Sequence, residues 1–136
     1  MGITYTEIKL QNAREVGNLQ DGFIEKAHEI MVNAVVDTGC TTALVINEEI
    51  CQRLNLKIMG SRGITVAGGA RVVCKLTEPI TIHWQNRFSI CHAIVMSGEN
   101  TVLLGVIPLE DMDLMVDPVN GKLVGIHGDE IVYMVK

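Results

Sequence analysis

No stretch of this chain is long and apolar enough to span a bilayer, because Asp37, Glu110 and Asp113 interrupt its greasiest runs. No membrane partner is expected. The opening Met1-Gly2-Ile3-Thr4-Tyr5 has neither the basic start nor the apolar segment of a secretory leader, so a cytoplasmic location is expected. Cys40, Cys51, Cys74 and Cys91 include no C-x-x-C pair, which leaves reduced and mostly buried thiols as the expectation. His83, Cys91 and His92 come nearest to a ligand set, but neighbours on a strand face opposite ways, and no spacing matches a known metal site. Neither a metal nor another cofactor is expected. Positive charge is also short: 11 Lys and Arg stand against 16 Asp and Glu, and the net charge of −5 argues against a nucleic-acid partner. The Gly68-Gly69 pair is followed by no helical pattern, so it is not a dinucleotide fingerprint.

What is present is a run of β-rich segments in 136 residues, a length that suits one domain, 1–136. Hydrophobic residues make up 48%, enough that some apolar surface is expected to meet a partner subunit. Ile3 to Leu10 reads as a first strand, and Gln11 to Gly22 as a polar connection with turn signals at Gly17 and Asp21-Gly22. From Phe23 the chain enters a long strand with Ile30, Val32, Ala34 and Val36 on one side. Asn47 reads as the N-cap of a short helix over Glu48 to Leu56. Ile64 to Val73 forms a hairpin with Gly68-Gly69 at its tip, either a plain surface hairpin or a cover that closes over a substrate.

Pro79 to Trp84 and Arg87 to Met96 form a further pair around Gln85-Asn86. Ile80, Ile82 and Trp84 are assigned to one apolar face, and Phe88, Ile90 and a buried His92 to the matching face of the return strand. Thr101 to Gly105 reads as a short buried strand, followed by a helix with Pro108 in its first turn. Leu114 to Asp117 and Leu123 to Ile126 flank a turn at Asn120-Gly121, and Ile131 to Val135 reads as a last strand, a candidate for pairing with another subunit. The pattern is nearly all β, without βαβ alternation.

The chemistry centres on Met31 to Ile46, where two apolar runs flank Asp37-Thr38-Gly39. A carboxylate delivered from the end of a core strand loses hydration, which raises its pKa unless donors compensate. Gly39 frees the backbone to turn, Thr38 supplies a hydroxyl, and Cys40, Thr41 and Thr42 bring small polar groups close. On the tripeptide alone, an ordinary β-turn accounts for the same residues. A thiol hydrolase built on Cys40 with His83, His92 or His127 is a further class, but no pattern brings a His to Cys40.

Together, the strand into Asp37-Thr38-Gly39, the glycine-tipped hairpin and Leu103-Leu104-Gly105 before a short helix resemble the retropepsin-like aspartic peptidases, the clan of the retroviral proteases. Leu109-Glu110 through Asp113-Leu114-Met115-Val116-Asp117-Pro118 resembles the small prokaryotic members in particular. The resemblance implies an all-β, closed barrel or sandwich with a flap hairpin and one or two short helices. It implies a homodimer acting on a peptide or protein substrate, because the chain has one Asp-Thr-Gly and the second carboxylate would be the Asp37 of another subunit. Asp37 would be catalytic, Thr38 would bond across the two-fold axis, and Gly39 would let the backbone approach its mate. Cys40 would support the turn in place of the more usual Ser, Thr or Ala, and Leu103, Leu104 and Gly105 would buttress it from beneath. The flap residues Ala67, Gly68, Gly69 and Ala70 would cover the substrate. Val106 and Ile107 replace the Arg that pins the retroviral dimer, so the dimer contacts are expected to differ. A non-catalytic retropepsin-like module that binds peptides or self-associates is the alternative.

Overall fold

Strands dominate the computed structural model, which describes residues 2–135; Met1 and Lys136, the two ends of the expected domain 1–136, lie outside the described residues. In chain order the elements are β1 (Thr4–Asn12), α1 (Ala13–Gln20), β2 (Glu29–Val36), β3 (Leu44–Ile46), α2 (Glu48–Arg53), β4 (Ile58–Thr65) and β5 (Arg71–Thr77). There follow β6 (Ile80–Trp84), β7 (Arg87–Cys91), β8 (Ile94–Val95), β9 (Leu103–Leu104), α3 (Val106–Asp111), β10 (Leu114–Asp117) and β11 (Lys122–Gly125). Nine strands form one curled sheet, a half-barrel in the order β4-β5-β8-β3-β9-β2-β1-β6-β7, and β10 pairs with β11 separately. No helix among the described residues is long and apolar enough to cross a membrane.

Alternation decides which face of each strand is buried. In β1, Ile8 and Leu10 turn inward, and in β2 Ile30, Ala34 and Val36 do so, while Tyr5 and Met31 stay exposed. These side chains meet Leu44, Ile46, Ile80, Ile82, Trp84 and Leu104 in the main core. A second, smaller cluster of Val45, Cys74 and Ile94 lies on the other side of β3, packed by Cys40, Ile64, Leu76, Met96 and Leu103. The short β3 therefore separates two apolar compartments.

The decisive topological feature is β9. It pairs in parallel with β2 through Val35 and Val36, and antiparallel with β3 through Leu44 and Val45, so it is wedged between the two strands that flank the Asp37 turn.

Four expectations are corrected. The polar connection after β1 contains α1: the Asn12 carboxamide caps the Glu15 N–H at 3.1 Å, and its Nδ2 donates to the carbonyls of Leu54 and Asn55, both at 3.0 Å. The strand expected from Phe23 begins only at Glu29, and Phe23 is exposed. In β7 the inward residues are Arg87, Ser89 and Cys91, whereas Phe88, Ile90 and His92 face out, and His92 Nδ1 donates to the Thr77 carbonyl at 2.8 Å. Ile131 to Val135 is not a strand; its path is fixed by the Val132 amide donating to Asp113 Oδ2 at 3.0 Å.

Candidate active site

Asp37 follows the last residue of β2, and its backbone N–H donates to the Leu104 carbonyl of β9 at 3.0 Å. The chain then turns sharply, with the Cys40 amide returning to the Asp37 carbonyl at 3.1 Å. Asp37 is half-buried, and its Oδ1 accepts the Gly39 N–H at 3.0 Å. Its Oδ2 has no hydrogen-bond partner among the described residues and is free to meet a ligand. A Cβ at residue 39 would stand 3.3 Å from Asp37 Oδ1, so Gly39 lets amide and carboxylate approach this closely.

Beneath the turn, the Gly105 N–H donates to the Ala43 carbonyl at 2.9 Å, and the Val106 N–H to that of Cys40 at 3.1 Å. Gly105 is fixed by space: a Cβ there would overlap the Thr42 carbonyl oxygen and lie 2.9 Å from that of Cys40. Leu104 is fully buried in the main core, while Leu103 points the other way, into the second cluster. Leu103, Leu104 and Gly105 thus hold the Asp37 turn through main-chain hydrogen bonds, close contact and apolar packing.

The unusual Cys40 has a physical explanation. Its side chain packs against the second cluster, and Sγ lies 3.1 Å from Thr42 Oγ1, so a small, weakly polar group suits the position. The thiol-hydrolase reading finds no support: the hydrogen-bond partner of Cys40 Sγ among the described residues is Thr42 Oγ1, and no His lines the cleft to which Cys40 belongs. Burial pushes the Cys91 thiol up to about 12 and raises that of Cys51 as well, as expected of inert core thiols.

Two clefts meet at Asp37. One, of about 870 Å³, runs from Asp37, Gly39 and Cys40 under Gly63 to Ala67 of the β4–β5 hairpin, with Val45, Ile94, Met96, Leu103 and Glu99 completing its wall. The other, of about 510 Å³, has Asp37 and Thr38 on one side and Gly2, Ile3, Val116 and Pro118 on the other. Thr38 is exposed. Of the flap residues, Ala67 lines the first cleft, while Gly68, Gly69 and Ala70 form the exposed tip. Gly68 and Gly69 take φ of +92° and +88°, a region in which a side chain would strain the turn. The cleft wall contributed by Val45, Ile64, Ile94, Met96 and Glu99 was not assigned from sequence, because loops and strand faces converge there only through the sheet order.

Asp113 and Asp117 are committed elsewhere. Asp113 is buried and accepts from His127 Nδ1 at 2.7 Å, and Asp117 caps its own turn through Val119 and Asn120. Neither shares the Asp37 turn.

No family model and no curated protein matches the chain. Among solved structures, it is similar to EIAV protease complexed with the inhibitor HBY-793, with a TM-score of 0.55 and 21% identity over 76% of this chain and 82% of that one. The fold is retropepsin-like. At this level of identity the likeness speaks for the all-β architecture, here a half-barrel with a glycine-tipped hairpin and short helices.

Proposed function

We propose that the protein is an aspartic endopeptidase that acts as a homodimer, with Asp37 of each subunit forming the catalytic pair. The observation that carries this reading is a half-buried carboxylate, held on one oxygen by the Gly39 amide and open on the other, at the floor of a cleft roofed by a glycine-tipped hairpin. The amide contact alone is that of an ordinary Asx turn, as at Asp117; its place in the cleft beneath the hairpin is what sets Asp37 apart. The exposed Thr38 beside it is free to bond across a two-fold axis.

Two carboxyls about 3 Å apart cannot both ionise, so the pair holds one shared proton and titrates as a unit. The ionised member takes a proton from a water held between them, and the protonated member donates to the scissile carbonyl as the water attacks. No covalent intermediate forms. Gly68 and Gly69 let the tip of the hairpin fold over a bound peptide, whose backbone the Gly68 N–H would meet, while the Gly69 N–H closes the turn on the Val66 carbonyl at 3.0 Å. Exposed Ile3, Tyr5, Ile131 and Tyr133 are available for subunit contact, in line with a dimer that does not use an Arg after Gly105.

The test combines solution mass at micromolar concentration with cleavage of a broad peptide library over a range of pH. A dimer that cleaves, and whose Asp37→Asn variant remains dimeric without cleaving, supports the reading. A wild type that binds peptides but cuts none over that range favours a non-catalytic module, and a cleaving protein that stays monomeric at all concentrations excludes the shared pair.

A further inference from the structure

The lining of the larger cleft combines aliphatic side chains with three threonines, Thr41, Thr42 and Thr65, and two acids. Val45, Ile64, Val66, Ile94, Met96 and Leu103 are its large apolar members; Asp37 and Glu99 are its charged members, and no Lys or Arg belongs to it. Glu99 stands on the loop between β8 and β9, in the chain segment that leads directly to Leu103 under the Asp37 turn. The loop itself fixes it: Glu99 Oε1 accepts the Thr101 N–H at 3.1 Å. Oε2 has no hydrogen-bond partner among the described residues, and Glu99 is absent from their ion pairs, which are Lys9–Glu29, Arg14–Glu78, His28–Glu15 and His127–Asp113.

A half-buried carboxylate at an apolar wall, restrained on one oxygen and unmatched on the other, is complementary to a cation that arrives with the ligand. We propose that Glu99 makes this cleft selective for a peptide bearing a Lys or Arg side chain, beside aliphatic side chains that fill the wall of Val45, Ile64, Ile94 and Leu103. The proposal rests on the peptidase reading and names its substrate class. The long aliphatic stem of Lys or Arg suits the same surface, since it packs along apolar residues while its head reaches Glu99. Because Glu99 remains partly exposed, the expected discrimination is about tenfold in Kd, and it weakens as salt is added.

The test uses fluorescent peptides built on a statine core with flanking Leu and Val, in which one Lys, or norleucine in its place, is walked through each flanking position. Binding is measured by anisotropy in the wild type, in Asp37→Asn and in Glu99→Gln and Glu99→Lys, so that it is read independently of cleavage. At one position the Lys peptide is expected to bind about tenfold tighter than its norleucine twin. Glu99→Gln, which keeps an acceptor for the Thr101 amide, abolishes that difference, and Glu99→Lys reverses it in favour of a Glu-bearing peptide. Equal binding of Lys and norleucine at every position, a preference undiminished in Glu99→Gln, or no binding of any peptide would overturn the inference. A wild type that cuts aliphatic peptides but ignores the Lys sinks this inference alone; one that shows the Lys preference in binding yet cuts nothing sinks the peptidase reading alone.

Discussion

Replacing Asp37 by Asn removes a charge while keeping the shape and the acceptor for the Gly39 amide. Cleavage is therefore expected to fall by at least about 10³-fold, with thermal stability and solution mass unchanged, as checked by peptide assay beside calorimetry and light scattering. Cys40 behaves differently because it packs rather than reacts. Cys40→Ala is expected to cost about 1 kcal/mol of stability in urea titration and to leave kcat within a few-fold of wild type. At Gly105 the obstacle is backbone, the carbonyls of Thr42 and Cys40, which cannot swing aside as a side chain could. Gly105→Ala should cost on the order of 3 kcal/mol and reduce activity further by displacing the Asp37 turn. These positions could be picked out as candidates in the sequence because the turn and the segment beneath it are each contiguous, Asp37-Thr38-Gly39 and Leu103-Leu104-Gly105. Glu99 could not, since a lone acid in a Ser-Gly-Glu-Asn loop looks like any solvated charge until the sheet order turns it toward the cleft.

Among the elements, α1 depends on Asn12, a fully buried residue whose one side chain caps that helix and also holds the carbonyls that end α2. Asn12→Ala removes a cap worth about 1 kcal/mol and strands the Leu54 carbonyl, while that of Asn55 keeps its bond from Arg14, so a loss of roughly 2–3 kcal/mol is expected by denaturant titration. The helix was obscured by Gly17 and by the turn signals after it, although Asn12 followed by Glu15 carried the start signal. Glu15 does not complete a capping box; it accepts from His28 and Asn55 and ties the helix to its surroundings. The β6–β7 hairpin shows a different competition. Trp84 pairs with Arg87 across the two-residue turn Gln85-Asn86, so Ile80, Ile82 and Trp84 share a face with Arg87, Ser89 and Cys91, and the turn's parity outranks the hydrophobicity of Phe88 and Ile90. The buried Arg87 is put to use there, donating to the carbonyls of Met112 at 2.7 Å and Asp113 at 3.1 Å, and to that of Gly128, at the end of α3 and beyond. Phe88→Thr, on the exposed face, should shift stability by less than about 0.5 kcal/mol while improving solubility at high concentration.

For the molecule as a whole, stability should be lost toward acid. His127 and the Val132 amide hold the Asp113 carboxyl below the ordinary carboxylate range, and Asn120 does the same for Asp117. Burial works to raise Glu15 and Glu78, but hydrogen bonds from Asn55 and His28 to the first, and from Arg14 and Lys57 to the second, outweigh it and leave both lowered. Groups depressed in the fold stabilise it fully above their unfolded values, near pH 4, and lose that contribution as pH falls through their folded values. His83, lowered by burial, acts in the same direction from about pH 6.5 downward, because the unfolded chain takes up that proton first. Thermal melts are thus expected to be level above about pH 7 and to decline progressively to pH 3, steepest below about pH 4.5. The wedging of β9 between β2 and β3 has a temporal side as well. On the ribosome, Asp37 is made half a chain length before the Leu104 carbonyl that must receive its amide, so a nascent chain halted before Thr101 carries the acid without the means to aim it. Such a fragment is expected to lack any cleavage that the full chain shows in the peptide assay.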